Sequence, residues 1–275
     1  MNEALIQKEQ ALIQHLKQYQ KFVICYSGGV DSSYLLAAAV EAVSTINVAA
    51  VLGKSPSLSA FQYEQAQRTA QALGIQMQVI ATEELNQPAY VQNAPDRCFH
   101  CKSELFDKVV QWAQRYKWHW ICDGTNADDL KDYRPGRWAA EKYQVQSPLA
   151  KTGMTKADIR MLSQQRGLST WDAPASPCLS SRIPYGTPVS PKALHLIEES
   201  EAVLRGLGFK EFRVRFHDKM ARIELDQTGH EHIQMPGVKE QAVDALKKIG
   251  FQYVTIDLEL FQSGRLNRML EERIG

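Results

Sequence analysis

The stretch FVICYSGGVDSS at 22–33 sets the tightest limit on what this chain can fold into. Its apolar start reads as a strand, its two glycines permit a tight turn, and from Asp31 onward apolar positions recur at helical spacing. A strand that turns directly into a helix offers unpaired backbone N–H groups at the helix start, which form a cradle for anionic oxygens. The pattern then repeats. INVAAVL (46–52), IQMQVI (75–80) and HWICDG (119–124) read as further strands, and Asp31 to Ala42, Ser59 to Leu73 and Ser103 to Tyr116 as helices. Alternating strand and helix predicts a parallel sheet with helices on both faces and ligands at the carboxyl ends of the strands. The loops at 27–33, 53–58 and 123–137 would then open on one side.

The loop also narrows the chemistry. A Walker A loop needs Gly-Lys-Ser/Thr to hold β and γ phosphates, and a dinucleotide fold needs GxGxxG; neither is present. SGGVDS, with Ser27, Gly28, Gly29, Asp31 and Ser32, is similar to the pyrophosphatase loop of PP-loop ATPases. Those enzymes split ATP between its α and β phosphates and adenylylate a substrate oxygen. Such chemistry needs a pyrophosphate cradle, and an aspartate suits Mg²⁺ beside it. A turn in which Asp31 or Ser32 merely caps a core helix is the bland alternative.

Beyond residue 147 the pattern changes. The region 147–190 is rich in Pro, Ser and Gly, with one recognisable helix near Lys156 to Arg166 that Thr155 would cap, and the rest reads as loop. From Pro191 a helix runs to Leu207, followed by FRVRF, a turn at HDKM, ARIEL, a helix from Val238 to Ile249 and the strand FQYVTIDLE. This order predicts a small α+β domain with an antiparallel pair, and domains of 1–185 and 186–275. Alternation puts Phe212, Val214 and Phe216 on one face of the hairpin and Arg213 and Arg215 on the other, with Arg213 opposite Glu224. A cross-strand ion pair on a solvated surface would account for that face.

Composition bounds the function classes. At 275 residues, 44% hydrophobic and 23% charged, the chain is an ordinary globular sequence with room for two cores. Its net charge of +1 favours no nucleic acid. No run approaches the roughly 20 apolar residues of a membrane span, and the polar start MNEALIQKEQ lacks a secretory pattern, so a cytoplasmic location is expected. The five cysteines, Cys25, Cys98, Cys101, Cys122 and Cys178, argue for thiols or metal ligands rather than a disulfide frame. Cys25 and Cys122 fall inside strands and read as core. DRCFHCK (96–102) places Cys98 and Cys101 three positions apart, while Cys178 lies in SPCLSSR. Three cysteines fit a cluster with one open iron, His100 could complete a Cys₃His zinc site, and a lone CxxC could be a redox pair. Lys102 could neutralise phosphate or leaving-group charge. Asp123, Asn126, Asp128 and Asp129 crowd a strand end where ribose or metal contacts and capping are both available. Arg134 and Arg182 are phosphate candidates because guanidinium forks match phosphate oxygens.

SGGVDSS, RCFHCK, DGTNADDLKDYRPGRWAA (123–140), SPL followed by TKADIR, PCLSSRIPYG, and RVRFH followed by ARIEL occur together and in order. On these six signatures the chain resembles, over nearly its whole length, the LarE family of PP-loop sulfur-transfer enzymes of nickel-pincer nucleotide biosynthesis. The resemblance implies activation of a carboxylate of pyridinium-3,5-biscarboxylic acid mononucleotide with ATP and Mg²⁺, release of pyrophosphate, and replacement of oxygen by sulfur. It implies that Arg213 and Arg215 bind substrate phosphate, that Glu201 and Glu224 lie at a metal site, and that the protein is a homo-oligomer. Members with a single cysteine, matching Cys178, give up its sulfur and keep dehydroalanine. Others hold a [4Fe-4S] cluster on three thiolates, here Cys98, Cys101 and Cys178, with one iron open to hydrosulfide from an external sulfur donor. The rivals are a PP-loop tRNA thiolase, an amidotransferase of the NAD synthetase kind and a non-catalytic nucleotide-binding domain.

Overall fold

A computed structural model of the chain describes residues 3–131, 134–262 and 264–265. In chain order the regular elements are α1 (Glu3–Lys17), β1 (Phe22–Cys25), α2 (Val30–Val43), β2 (Val48–Lys54), α3 (Ala60–Ala72) and β3 (Gln78–Ala81). There follow α4 (Pro88–Val91), α5 (Arg97–Arg115), β4 (Trp120–Asp123), α6 (Gly136–Lys142), α7 (Pro148–Lys151) and α8 (Lys156–Gln165). The last are α9 (Pro191–Gly206), β5 (Phe212–His217), β6 (Met220–Leu225), α10 (Gln227–His232), α11 (Val238–Ile249) and β7 (Tyr253–Ile256).

Two compact units result. The first comprises residues 1–55, 60–84 and 98–176, and the second 56–59, 85–97 and 177–275. The division thus falls at Ser176 and Pro177, ahead of the 185/186 boundary suggested by the change of sequence pattern. Two short segments from the first half also join the second unit because their hydrogen bonds go there. Asn93, for example, donates to the carbonyls of Ile183, Pro184 and Thr187.

In the first unit the sheet order is β3-β2-β1-β4, with every pairing parallel. β1 is flanked by β2 and β4, so the chain order reverses across it and the crevice at its carboxyl end is the switch point of an open α/β sheet. SGGVDS occupies that position. Val23, Val51, Val109 and Ala113 form a core that joins α5 to one face of the sheet. α1 and α8 pack against α2. The helix α1 was not anticipated from its polar start, although Leu5, Leu12, Ile13 and Leu16 recur at helical spacing and are buried. α5 begins at Arg97 rather than Ser103, so the cysteine pair lies in its first turns. Pro95 just upstream prevents an earlier start, and CFHCK contains no helix breaker. Two strands begin later than their apolar runs: Ile46 is exposed in a short 3₁₀ turn, and Ile75 is buried from a loop.

The second unit holds a three-stranded sheet of order β5-β6-β7. β5 and β6 form a hairpin with a two-residue turn at Asp218 and Lys219, where Asp218 adopts φ 53°. Phe212, Val214, Ile223 and Leu225 pack with Leu196 and Leu204 of α9 and Leu246 of α11. Arg213 does pair with Glu224 in register. The face they share is buried rather than solvated, with Arg213 and Arg215 each 6% exposed and Glu224 1%. Both faces of β5 are therefore covered. α10, capped by Asp226, was also not anticipated; at six residues it is too short to show a period.

Gly28 is the turn residue that the first unit cannot replace. Its φ is +72°, and a Cβ there would sit 2.4 Å from the Ala66 side chain of α3. Gly28→Ala should therefore lower unfolding stability by roughly 2–4 kcal/mol, combining left-handed strain with overpacking. Urea melts of the full chain would measure this, and a loss under roughly 0.5 kcal/mol, the range of neutral surface changes, would contradict the tight approach.

Candidate active site

The loop between β1 and α2 is shaped by its own hydroxyls. Ser27 Oγ and Ser32 Oγ are 3.0 Å apart, and Ser32 Oγ also donates to the Gly29 carbonyl at 3.2 Å. The N-cap residue of α2 is Gly29, and no side chain caps the helix. The capping role considered for Asp31 or Ser32 is thus not what holds the turn. The first amides of a 14-residue helix are left to meet an anion. Gly124, at the end of β4, approaches so closely that a Cβ would lie 3.0 Å from the Ser32 amide nitrogen.

Asp31 faces Lys156, whose Nζ lies 2.5 Å from Asp31 Oδ2, while Asp31 Oδ1 is buried without a hydrogen-bond partner. Lys156 opens α8, which Thr155 caps as expected from sequence, and Asp158 completes a capping box with it. Lys156 itself was missed as a site residue. A lysine in the first turn of a helix works against the helix dipole, and that misplacement is the signal that could have found it. Asp129 lies in the same neighbourhood. Burial raises its carboxyl pKa, with Asp31 adding to the rise and Arg134, 2.8 Å away, opposing it. Asn126 serves its own loop, its Oδ1 accepting from the amides of Asp128 and Asp129 at 2.9 and 3.1 Å. Arg134 is exposed and paired with Asp129.

Asp123, at the end of β4, accepts from the Thr125 amide and hydroxyl and from Ser147 Oγ at 2.8–3.1 Å. Lys102 Nζ reaches it at 4.0 Å. Gly136 keeps the space the lysine stem occupies, since a Cβ there would meet Lys102 Cδ at 2.6 Å. Cys98 is exposed and Cys101 half-buried, one helical turn apart on α5. None of the five cysteines forms a disulfide. Cys25 and Cys122 are the inert pair, because burial pushes both thiols well above the usual range. Among the described residues no group of three or more His, Cys, Asp and Glu side chains is gathered as metal ligands.

The second unit contains a buried ionic network. Arg182, 3% exposed, forms a two-pronged pair with Glu201 at 2.9 and 3.0 Å. Glu201 Oε1 also accepts from the Val214 amide at 3.2 Å. Arg215 donates to Glu224 at 2.6 Å and to the Ser181 carbonyl at 2.8 Å. The cross-strand ion pair is thus diagonal, Arg215 to Glu224, rather than between the register partners. Glu224 is also 3.3 Å from Arg222. Glu201 and Glu224, considered as metal ligands, are both committed to guanidinium groups here. Burial holds the Arg213 pKa down to about 10, Arg182 and Arg215 contribute repulsion, and its guanidinium lies over the Phe261 ring. Arg215 Nε and Arg222 Nε are buried without partners, as is His217 Nε2. Cys178 precedes a short 3₁₀ turn, Leu179–Arg182, and its side chain makes no cap bond.

A nucleotide crevice at the β1 switch point, with a helix start that no side chain caps, is the architecture of a PP-loop enzyme. The NAD synthase family model matches residues 5–109. An uncharacterized protein of Synechocystis sp. is 40% identical over 263 residues, 96% of this chain and 98% of the relative. The pyridinium-3,5-bisthiocarboxylic acid mononucleotide synthase of Lactiplantibacillus plantarum is 34% identical over 268 residues, 97% of this chain and 96% of that protein. An uncharacterized protein of Methanocaldococcus jannaschii is 30% identical over 244 residues, 89% and 92% of the two chains. The chain belongs to the LarE family and is an ATP-dependent enzyme. No described helix is long and apolar enough to cross a membrane.

The network carries a pH signature. Burial alone would raise the Glu201 pKa, but Arg182, then Arg213 and the Val214 amide, outweigh it and hold the carboxyl below its usual 4.5. A folded pKa below the unfolded one stabilises the fold above about 4.5, and that contribution is lost as pH falls through the folded value. Glu201→Gln should cost about 3–5 kcal/mol at neutral pH, because Arg182 then keeps a buried charge without its counter-ion. It should also flatten the acid loss of stability seen in urea melts from pH 6 to 3. A variant with the wild-type acid slope would rule this linkage out.

Proposed function

We propose that this enzyme adenylylates a carboxylate of pyridinium-3,5-biscarboxylic acid mononucleotide and replaces the activated oxygen with sulfur. The product is the thiocarboxylate precursor of the nickel-pincer nucleotide. The observation that carries the proposal is the near-full-length identity to the Lactiplantibacillus plantarum synthase, which spans both the loop and the buried arginines. The amides of Gly29 to Ser32 and the α2 start hold the pyrophosphate part of ATP, with Lys156 and Lys102 supplying positive charge beside Asp31 and Asp123. Asp31, whose Oδ1 lacks a partner, suits Mg²⁺. Arg134 is a further phosphate contact, being exposed beside Asp129.

In the reaction the substrate carboxylate oxygen attacks the α-phosphorus and pyrophosphate leaves. A sulfur nucleophile then attacks the acyl carbon and AMP departs. The arginine face of the second unit suits the substrate phosphate, because a dianion there would meet the guanidinium groups of Arg213 and Arg215 and the buried, unpartnered Nε atoms of Arg215 and Arg222. Cys98, Cys101 and Cys178 are the donor set that three-thiolate ligation of a [4Fe-4S] cluster uses. When bound, that group supplies an open iron position for sulfur from an external donor. Cys98 and Cys101 fit such a role, since neither is sealed in a core and both sit on one helix face.

Incubation with ATP, Mg²⁺ and the biscarboxylate mononucleotide should release one pyrophosphate per thiocarboxylate over many turnovers, with the intact protein mass unchanged. Loss of one H₂S equivalent from Cys178 would replace cluster delivery by sacrificial donation, and absence of pyrophosphate would remove the proposed reaction altogether. Arg215→Ala should raise the substrate KM roughly 10- to 100-fold, the worth of a charge-assisted contact. An unchanged KM would place the substrate phosphate elsewhere.

A further inference from the structure

The residues around Cys178 are held more tightly than a 3₁₀ turn requires. Arg182 Nη1 donates to the carbonyls of Pro177 at 2.6 Å and Cys178 at 3.2 Å and to Ser181 Oγ at 2.9 Å. Its other two nitrogens are both spent on Glu201. The Leu179 amide donates to the Ser57 carbonyl at 2.8 Å, and the Ser180 carbonyl accepts from Arg97 at 2.8 Å. Ser180 Oγ lies 2.5 Å from the Tyr90 hydroxyl, and the Ser181 carbonyl accepts from Arg215. Each residue from Pro177 to Ser181 is thus fixed by at least one bond, while the half-buried Cys178 thiol is given no capping duty.

We propose that Arg182 is a positioning residue for Cys178: held by the fork to Glu201, it fixes the backbone of residues 177–181 and thereby sets the direction of the Cys178 thiol. The proposal rests on the proposed reaction only in giving that thiol a chemical task, and it holds whether the sulfur is donated or acts as a ligand. Arg182 was a phosphate candidate from sequence. A phosphate that displaced Glu201 from it would strand a carboxylate only 4% exposed without its partner, and one that displaced the carbonyls would release the turn at Cys178. All three of its nitrogens already have acceptors at 2.6–3.2 Å, which suits an anchor. The Val214 amide ties Glu201 to β5 between Arg213 and Arg215, and Arg215 touches Ser181 directly. A phosphate held at Arg215 would therefore be read out at the turn that carries Cys178.

A lysine cannot reproduce the arrangement, since one ammonium cannot serve the Glu201 fork and the two carbonyls together. The test uses the full-length chain, iodoacetamide, and mass-spectrometric quantification at each cysteine. Arg182→Lys should raise the alkylation rate of Cys178 severalfold relative to Cys98, with the buried Cys122 still protected. Its kcat for thiocarboxylate formation should fall about 100-fold, the cost of misplacing a reacting group by about an ångström, with the substrate KM unchanged. A raised KM with preserved kcat and unchanged Cys178 alkylation would overturn the proposal and return Arg182 to phosphate binding. If Arg182→Lys also exposes Cys122, Ser181→Ala decides: it removes only one Arg182 acceptor, and unchanged Cys178 reactivity there overturns the proposal. Wild-type protein that releases no pyrophosphate would defeat the proposed reaction, and the alkylation rates would still judge the positioning role.

Discussion

Three guanidinium groups buried in the second unit are the constraint from which its architecture follows. Arg182, Arg213 and Arg215 are each 6% exposed or less, and an unpaired charge at that depth costs several kcal/mol. Each must therefore be given acceptors by the fold, and the acceptors come from separate elements. Glu201 belongs to α9, Glu224 to β6, and the carbonyls of Pro177, Cys178 and Ser181 to the segment that precedes α9. Removing one partner of such a pair leaves the other charge buried and uncompensated, so these ion pairs fasten together the segments that carry their acceptors.

The first unit meets the opposite problem. Its loop exposes donors without acceptors: the start of α2 has no side-chain cap, and Gly28 removes the side chain that would fill the space against α3. Positive potential from the helix start and from Lys156 is offset locally by Asp31, which keeps one oxygen without a hydrogen bond. Donors, ammonium and carboxylate thus lie together at the loop, with the ammonium already paired to the carboxylate. The second unit is saturated around Arg182, whereas the first is deliberately unsaturated around the loop.

Much of this was legible in the sequence because it depends on periodicity and local chemistry. Strand–SGGVDS–helix, the Thr155 cap and the alternation in FRVRF translate directly into β1–α2, α8 and the two faces of β5. Burial was harder to read. Arg213 and Arg215 alternate as a solvated strand face would, and nothing local states that residues 177–182 and α9 cover them. The diagonal Arg215–Glu224 pair, in place of the register pair, arises because Arg213 is drawn to the Phe212 carbonyl and the Phe261 ring. α1 was overlooked because its polar residues dominate the first ten positions, although four buried apolar side chains decide its packing. Arg97 and Tyr90 could not be assigned from spacing, since their partners lie far along the chain.

Where the similarity stops is as informative as where it holds. The NAD synthase model ends at residue 109, after the nucleotide loop and the cysteine pair, whereas identity to the mononucleotide synthase continues through the remainder. The shared part carries the nucleotide loop, while Asp123, Arg134 and Lys156, which complete its surroundings, already lie beyond it. Cys178, Arg182, Glu201, Arg213, Arg215 and Glu224 all lie beyond it. They are joined by short bonds from the Cys178 carbonyl through Arg182 and Glu201 to β5, and through Ser181 and Arg215 to Glu224. These bonds tie the segment that carries Cys178 to α9, β5 and β6. On the proposed reaction, substrate choice and sulfur delivery fall to one connected set of residues, all of them beyond the part matched by the NAD synthase model.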